Sequence, residues 1–151
     1  MNKVIISDTS CLISFTNLGL LSVLKKIYPT IIITQEVKQE WGNPLPDWFI
    51  EKQVVNPNFQ KKLEEKLGKG EASSIALALE LQPSVVIIDE IKGRKIAQSF
   101  NLEIIGTLGI LILAHKRGYL KNLDATLIEL KSSGFRVSDL LLQKIINSIN
   151  Q

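Results

Sequence analysis

The chain has 151 residues, of which 45% are hydrophobic and 22% are charged, and its formal net charge is +3. These values fit one domain with its own core, which we expect to span residues 1–151. A single cysteine and a single histidine exclude an internal disulfide, a cysteine-based zinc site and paired-histidine chemistry. No apolar run reaches the ~20 residues of a membrane helix, and the start lacks a signal-peptide pattern. We therefore expect a cytoplasmic protein without membrane attachment.

Short β-branched runs alternate with helical patterns along the chain. Alternation of this kind predicts an α/β fold, with a parallel sheet covered by helices on both faces. The segment 45–57 holds three of the five prolines and is predicted to be irregular. The predicted strands cover 3–7, 30–33, 85–88 and 103–105. The predicted helices follow Asp8 and cover 20–27, 35–41, 59–67, 71–80, 90–100, 107–118, 124–132 and 138–149.

Three acidic residues stand where such a fold places its sites. Asp8 and Asp89 each follow a β-branched run, and the carboxyl ends of parallel strands meet at one edge of the sheet. Glu71 begins a helix directly after Gly70, so a third carboxylate could join them. Clustered carboxylates repel one another unless a cation neutralises them, and hard oxygen ligands suit Mg²⁺ or Mn²⁺. Such an ion can activate water and stabilise charge on a phosphodiester.

Each acid also has an ordinary structural explanation. Asp8 and Asp89 could cap helices, Glu71 could favour a helix dipole, and Glu40 could lie on a solvated helix face. For any one residue taken alone, this explanation is the better one. The joint pattern of two strand-end acids and one helix-start acid is what favours a functional site.

Several motifs stand in an order and spacing that resembles PIN-domain proteins. The similarity spans nearly the whole chain, and its last part is similar to the prokaryotic subgroup described as VapC-like nucleases. The motifs are Ile6-Ser7-Asp8-Thr9-Ser10, Gly70-Glu71-Ala72, Ile88-Asp89-Glu90 with Gly93-Arg94, and the stretches 105–111 and 118–136.

The resemblance implies a PIN-like three-layer α/β/α fold with a central parallel sheet, and a metal-dependent ribonuclease of the toxin type. It implies that Asp8, Glu71 and Asp89 are ligands of Mg²⁺ or Mn²⁺, directly or through water. Glu40 matches a further acid of the family's pocket, although Glu36 is close enough in sequence to be confused with it. The expected partners are an RNA substrate, a cognate antitoxin protein and a second copy of the chain in a homodimer.

Other residues match the family in supporting positions. Ser10 matches a small polar residue that can orient a metal-bound water, and Thr107 could contact the metal shell or the phosphate; both could equally cap helices. Arg94 could pair with a site carboxylate, contact a phosphate or form a structural salt bridge. The chain departs from the subgroup at Glu90, where a second aspartate is frequent, and at Cys11, where proline is frequent.

Two rival functions stay open at this point. One is a non-catalytic PIN-like module that binds nucleic acid or protein, and retention of all four acids argues against it. The other is a DNA nuclease, because the presence of these acids does not distinguish an RNA substrate from a DNA substrate. An aspartyl phosphatase is disfavoured because Ser10 stands where a second aspartate is needed, and a phospho-accepting receiver is disfavoured because Asp8 has no acidic neighbour.

Overall fold

A five-stranded parallel sheet forms the centre of the fold in the computed structural model, which describes residues 2–149. The strands are β1 (Val4–Ser7), β2 (Ile31–Ile33), β3 (Phe49–Glu51), β4 (Ser84–Ile87) and β5 (Glu103–Ile105). The helices are α1 (Thr9–Asn17), α2 (Leu21–Ile27), α3 (Gln35–Trp41), α4 (Pro57–Glu64), α5 (Lys69–Glu80), α6 (Ile91–Ser99), α7 (Thr107–Lys116), α8 (Leu123–Ser132) and α9 (Asp139–Ile149).

The strands lie in the order β3-β2-β1-β4-β5, and every neighbouring pair is parallel. β1 and β4 are adjacent, with Ser7 opposite Ile87 in the register. Asp8 and Asp89 therefore follow neighbouring strands, at the edge of the sheet where the sequence analysis expected them. The α/β/α fold class predicted from the alternation of strands and helices is confirmed.

The sheet separates two hydrophobic layers, because successive side chains of a strand point to opposite faces. Ile31 and Ile33 belong to the layer formed with α1, α2, α3, α7, α8 and α9. Ile32 and Val86 belong to the opposite layer, with α4, α5 and α6. Burial on both faces explains why the central strands are continuous apolar runs instead of alternating ones.

One strand was not predicted. The segment 45–57 was expected to be irregular, but Phe49–Glu51 pairs with β2 as an edge strand. It has only three residues, of which Phe49 alone is buried. An edge strand this short has too few inward positions to produce an alternating pattern in the sequence.

The hydroxyl of Thr34 fixes the start of α3, the helix that bears Glu40. Its Oγ1 accepts from the backbone N of Val37 at 3.1 Å and lies 2.7 Å from Ser73 Oγ on α5, in a fully buried position. Thr34 therefore caps α3 and joins it to α5.

Replacing this hydroxyl with a methyl group removes both contacts at nearly constant shape. We expect Thr34→Val to lower the free energy of unfolding by about 1–3 kcal/mol, measured by urea denaturation. Thr126→Val is the matched control, since that hydroxyl bonds to the carbonyl of Asn122 on the exposed side of α8. A loss in Thr34→Val no larger than in the control would contradict the role assigned to the cap.

Among residues 2–149, no helix combines the length and hydropathy required to cross a bilayer.

Candidate active site at the carboxyl edge of the sheet

Asp8 and Asp89 meet around the hydroxyl of Ser10. Asp8 follows β1, is only 3% exposed, and caps α1 with its carboxylate 3.5 Å from the backbone N of Cys11. Ser10 Oγ lies 3.1 Å from Asp8 Oδ1 and 2.9 Å from Asp89 Oδ2. Since a hydroxyl has one proton, it can donate to only one of these carboxylates at a time. The two strand-end acids therefore share one polar contact, although 80 positions separate them.

Asp89 is held by the first residue of α7. The backbone N and the Oγ1 of Thr107 each donate to its carboxylate, both at 2.7 Å. Thr107 is fully buried, so it holds Asp89 with little freedom. The predicted capping role of Asp89 is thus exerted on the helix after β5, and Glu90 occupies the N-cap position of α6. Thr107 contacts the site through Asp89.

Glu71 lies in the first turn of α5 beside Glu90. Burial first, and then the charge of Glu90, raise the pKa of Glu71 to about 7. Its Oε2 is buried and has no hydrogen-bond partner among residues 2–149. A buried oxygen without a partner is costly in a protein, so this atom has an unused capacity to bind a proton or a cation.

Glu40 borders the same group of acids from α3. Its carboxylate accepts from the backbone N of Gly70 at 2.8 Å and from Thr9 Oγ1 at 2.7 Å, and its charge helps to raise the pKa of Glu71. Glu36 instead accepts from Gln60 on α4. The sequence left open which of the two glutamates faces the site, and the structure places Glu40 there.

The interior of the site is strongly unfavourable for negative charge. Burial, followed by the nearby charge of Asp89, raises the pKa of Asp8 to about 8, and Glu71 adds a smaller effect in the same direction. The ion pairs among the described residues join Lys3 to Glu103, Lys38 to Glu51 and Lys131 to Asp139, so none includes a site acid.

Arg94 does not neutralise the carboxylates either. Its Nη1 donates to the backbone carbonyl of Ile88 at 3.0 Å, and no ion pair to it is found in the described part of the chain. The geometry therefore favours neither the carboxylate pair nor the structural salt bridge considered from the sequence. The guanidinium ties the start of α6 to the end of β4, one residue before Asp89.

The acids do not surround a single point. Within residues 2–149, no three carboxylate, imidazole or thiolate groups converge closely enough to hold a metal ion. Asp8 and Asp89 form one group around Ser10, and Glu40, Glu71 and Glu90 form another. Each group is held by its own hydrogen bonds, which for Asp89 come from Thr107 and for Glu40 from Gly70. The three predicted ligands therefore lie in two adjacent groups, with Asp8 and Asp89 in one and Glu71 in the other.

The donor set nevertheless fits a hard divalent cation. All the candidate ligands are carboxylate oxygens, which suit Mg²⁺ and Mn²⁺. Glu71 Oε2 is buried without a partner, and burial together with neighbouring charge disfavours the ionised form of Asp8. A divalent cation would reverse both penalties, because it would give the orphaned oxygen a partner and favour ionised carboxylates.

Two contributors to the site were missed by the sequence analysis. Thr9 was named only as part of a motif, yet its hydroxyl holds Glu40. Gly93 was included in the helix predicted over 90–100 without a role, although a side chain at this position would meet Glu71. A glycine inside an otherwise helical pattern was the available signal, because it requires a packing or functional reason.

A family model for the PIN domain matches residues 4–151. Neither a curated protein nor a solved structure matches the chain.

Proposed function

The chain belongs to the PIN-domain family, whose fold is that of nucleases, and from this premise we propose that it is a metal-dependent endoribonuclease. It would hydrolyse RNA phosphodiester bonds with Mg²⁺ or Mn²⁺ bound by Asp8, Glu71 and Asp89, with Glu40 completing the acidic pocket. The observation that supports this function best is the meeting of Asp8 and Asp89 around Ser10, at the edge of two neighbouring parallel strands, where neither acid forms an ion pair with a described residue.

The protein's part in the reaction is to hold oxygen ligands in fixed places. Thr107 fixes Asp89 with two hydrogen bonds, and Ser10 lies between Asp89 and Asp8, where it can orient a water molecule. A bound divalent cation would supply activation of water and neutralisation of the charge that develops on the phosphodiester.

The second group of acids would hold the cation from the other side. Without a cation, burial and the charge of Glu90 raise the pKa of Glu71 to about 7. A cation bound by Glu71 would favour its ionised form, while Glu40 stays fixed by Gly70 and Thr9.

Matched RNA and DNA oligonucleotides test the proposal against its rivals. We expect cleavage of the RNA strand in Mn²⁺, with the DNA strand cut at least about tenfold more slowly, and no cleavage by Asp89→Asn. Equal cleavage of both strands would identify a DNA-competent nuclease. Binding of RNA without cleavage, unchanged in Asp89→Asn, would identify a non-catalytic module.

We also propose that the ribonuclease acts as a toxin held in check by an antitoxin protein, which rests on the VapC-like resemblance. Exposed leucines on α9 support a protein partner or a second copy, since Leu140 is 68% and Leu141 44% exposed. Expression in a bacterial host should arrest growth with the wild type but not with Asp89→Asn. Normal growth with a folded and soluble wild-type chain would contradict the toxin role.

A further inference from the structure

Three glycines lie against three different site carboxylates. A Cβ atom on Gly70 would lie 2.7 Å from Glu40 Oε2, one on Gly93 would lie 2.7 Å from Glu71 Oε2, and one on Gly106 would lie 2.9 Å from Asp89 Oδ1. Real Cβ atoms essentially never approach other atoms this closely. At all three positions, a side chain of any kind would compete with a carboxylate for the same space.

Backbone conformation does not explain these glycines. The glycines with positive φ are Gly19, Gly42, Gly118 and Gly134. For Gly70, Gly93 and Gly106, φ lies outside the left-handed region, so an L-residue could adopt the same backbone. Gly70 and Gly93 also lie within helices, where glycine is less favourable than alanine. The absence of a side chain must therefore allow a neighbouring group to pack closely. At Gly70 and Gly93 the nearest polar group is a site carboxylate.

We propose that Gly70, Gly93 and Gly106 are positioning residues of the active site, which rests on the proposed function. Each leaves the space in which one acid lies, and Gly70 also donates its backbone N–H to Glu40. The atoms that a Cβ would displace are the far ends of side chains, including Ile88 Cδ1 at Gly93 and Arg94 Nη1 at Gly106.

Alanine at these three positions should affect folding and metal binding differently. Because side-chain atoms rather than backbone must move, alanine at these positions is compatible with folding, although at Gly93 the buried Ile88 must also shift, which lowers the Tm. The carboxylate, however, must leave the place that the glycine gave it, and metal binding depends on the position of the carboxylate oxygens. The alanine variants should therefore fold but bind the metal ion more weakly than the wild type.

Gly93→Ala is the sharpest test because Glu71 Oε2 is the oxygen without a partner. We expect a folded variant whose Tm in chelator is lowered by no more than about 10 °C, and a Kd for Mn²⁺ raised at least about tenfold, measured by calorimetric titration. Gly109→Ala is the control, since its Cβ on α7 would meet only Ile105, at 3.0 Å. Its Kd should stay within about twofold of wild type.

A second measurement distinguishes positioning from general damage. Glu71→Asp shortens the displaced side chain, so the double variant with Gly93→Ala should bind Mn²⁺ no more weakly than Glu71→Asp alone. Such non-additivity is expected when two residues share one space. A purely structural defect of Gly93→Ala would instead add to the loss.

The outcomes separate this proposal from the proposed function. Wild-type binding of Mn²⁺ by Gly93→Ala, unfolding of that variant, or additive losses in the double variant would overturn the positioning role alone. Equal binding of Mn²⁺ by the wild type and Asp8→Asn would overturn the proposed function, and the positioning role with it. Weakened binding in Gly93→Ala and Asp8→Asn, but not in Gly109→Ala, is the result that we expect.

Discussion

Asp8→Asn should abolish RNA hydrolysis, lowering kcat/KM by about a thousandfold or more, and at the same time stabilise the metal-free fold at pH 8. The catalytic loss follows because an amide cannot replace the negative charge of a metal ligand. The gain in stability follows because burial and Asp89 make an ionised Asp8 unfavourable, with a pKa of about 8. We expect the gain to exceed ~1.4 kcal/mol, the equivalent of one pKa unit. Steady-state kinetics and urea denaturation in chelator measure the two effects.

The control is Asp47→Asn, which removes an exposed acid from the loop before β3. It should change neither the rate nor the stability beyond about 0.5 kcal/mol. The assignment of Asp8 would be wrong if Asp8→Asn retained a rate within tenfold of wild type. A loss of stability in chelator at pH 8 would show that the Asp8 carboxylate is not the unfavourable group described above.

Removal of divalent cations should abolish cleavage and make the fold sensitive to alkaline pH. The pKa values of Asp8 and Glu71 are raised in the folded protein, to about 8 and about 7, so folding favours their protonated forms. Their contribution to stability is fully present below pH ~4, the usual carboxyl range, and is lost as the pH rises through 7 and 8. The Tm in chelator should therefore fall between pH 5 and pH 8.

Mn²⁺ should restore both cleavage and stability. Because the cation binds ionised carboxylates, its effect on the Tm should be larger at pH 8 than at pH 5. Thermal unfolding with Mn²⁺ or with chelator at both pH values measures this difference, and NaCl at matched ionic strength controls for screening of charge. The same rise in Tm at both pH values would indicate that the cation does not bind the buried acids.

The fold could be predicted because its central strands are short runs rich in β-branched apolar residues. Residues 4–6 and 85–88 are uninterrupted apolar runs, as is typical of strands covered on both faces. The short edge strand at 49–51 could not be predicted, since it depends on a neighbour, β2, rather than on a pattern of its own. Pairing across the sheet is a tertiary effect that local sequence does not encode.

The sequence identified the residues of the candidate site, but it did not predict how they are arranged. Strand ends identify Asp8 and Asp89, and the helix start identifies Glu71. The choice of Glu40 over Glu36 depends on which face of α3 meets α5, because Glu40 reaches the backbone of Gly70 there. Side-chain rotations around Ser10 are likewise set by contacts between distant segments, so the sequence could not show that the acids form two groups.

Crystals grown with Mn²⁺ and examined by anomalous diffraction provide the decisive measurement. An anomalous peak about 2.0–2.3 Å from carboxylate oxygens of both Asp8 and Asp89 is expected, with Glu71 turned toward it directly or through water. A peak elsewhere on the molecule, or none in this pocket at saturating Mn²⁺, would contradict a metal-dependent nuclease site at this edge of the sheet.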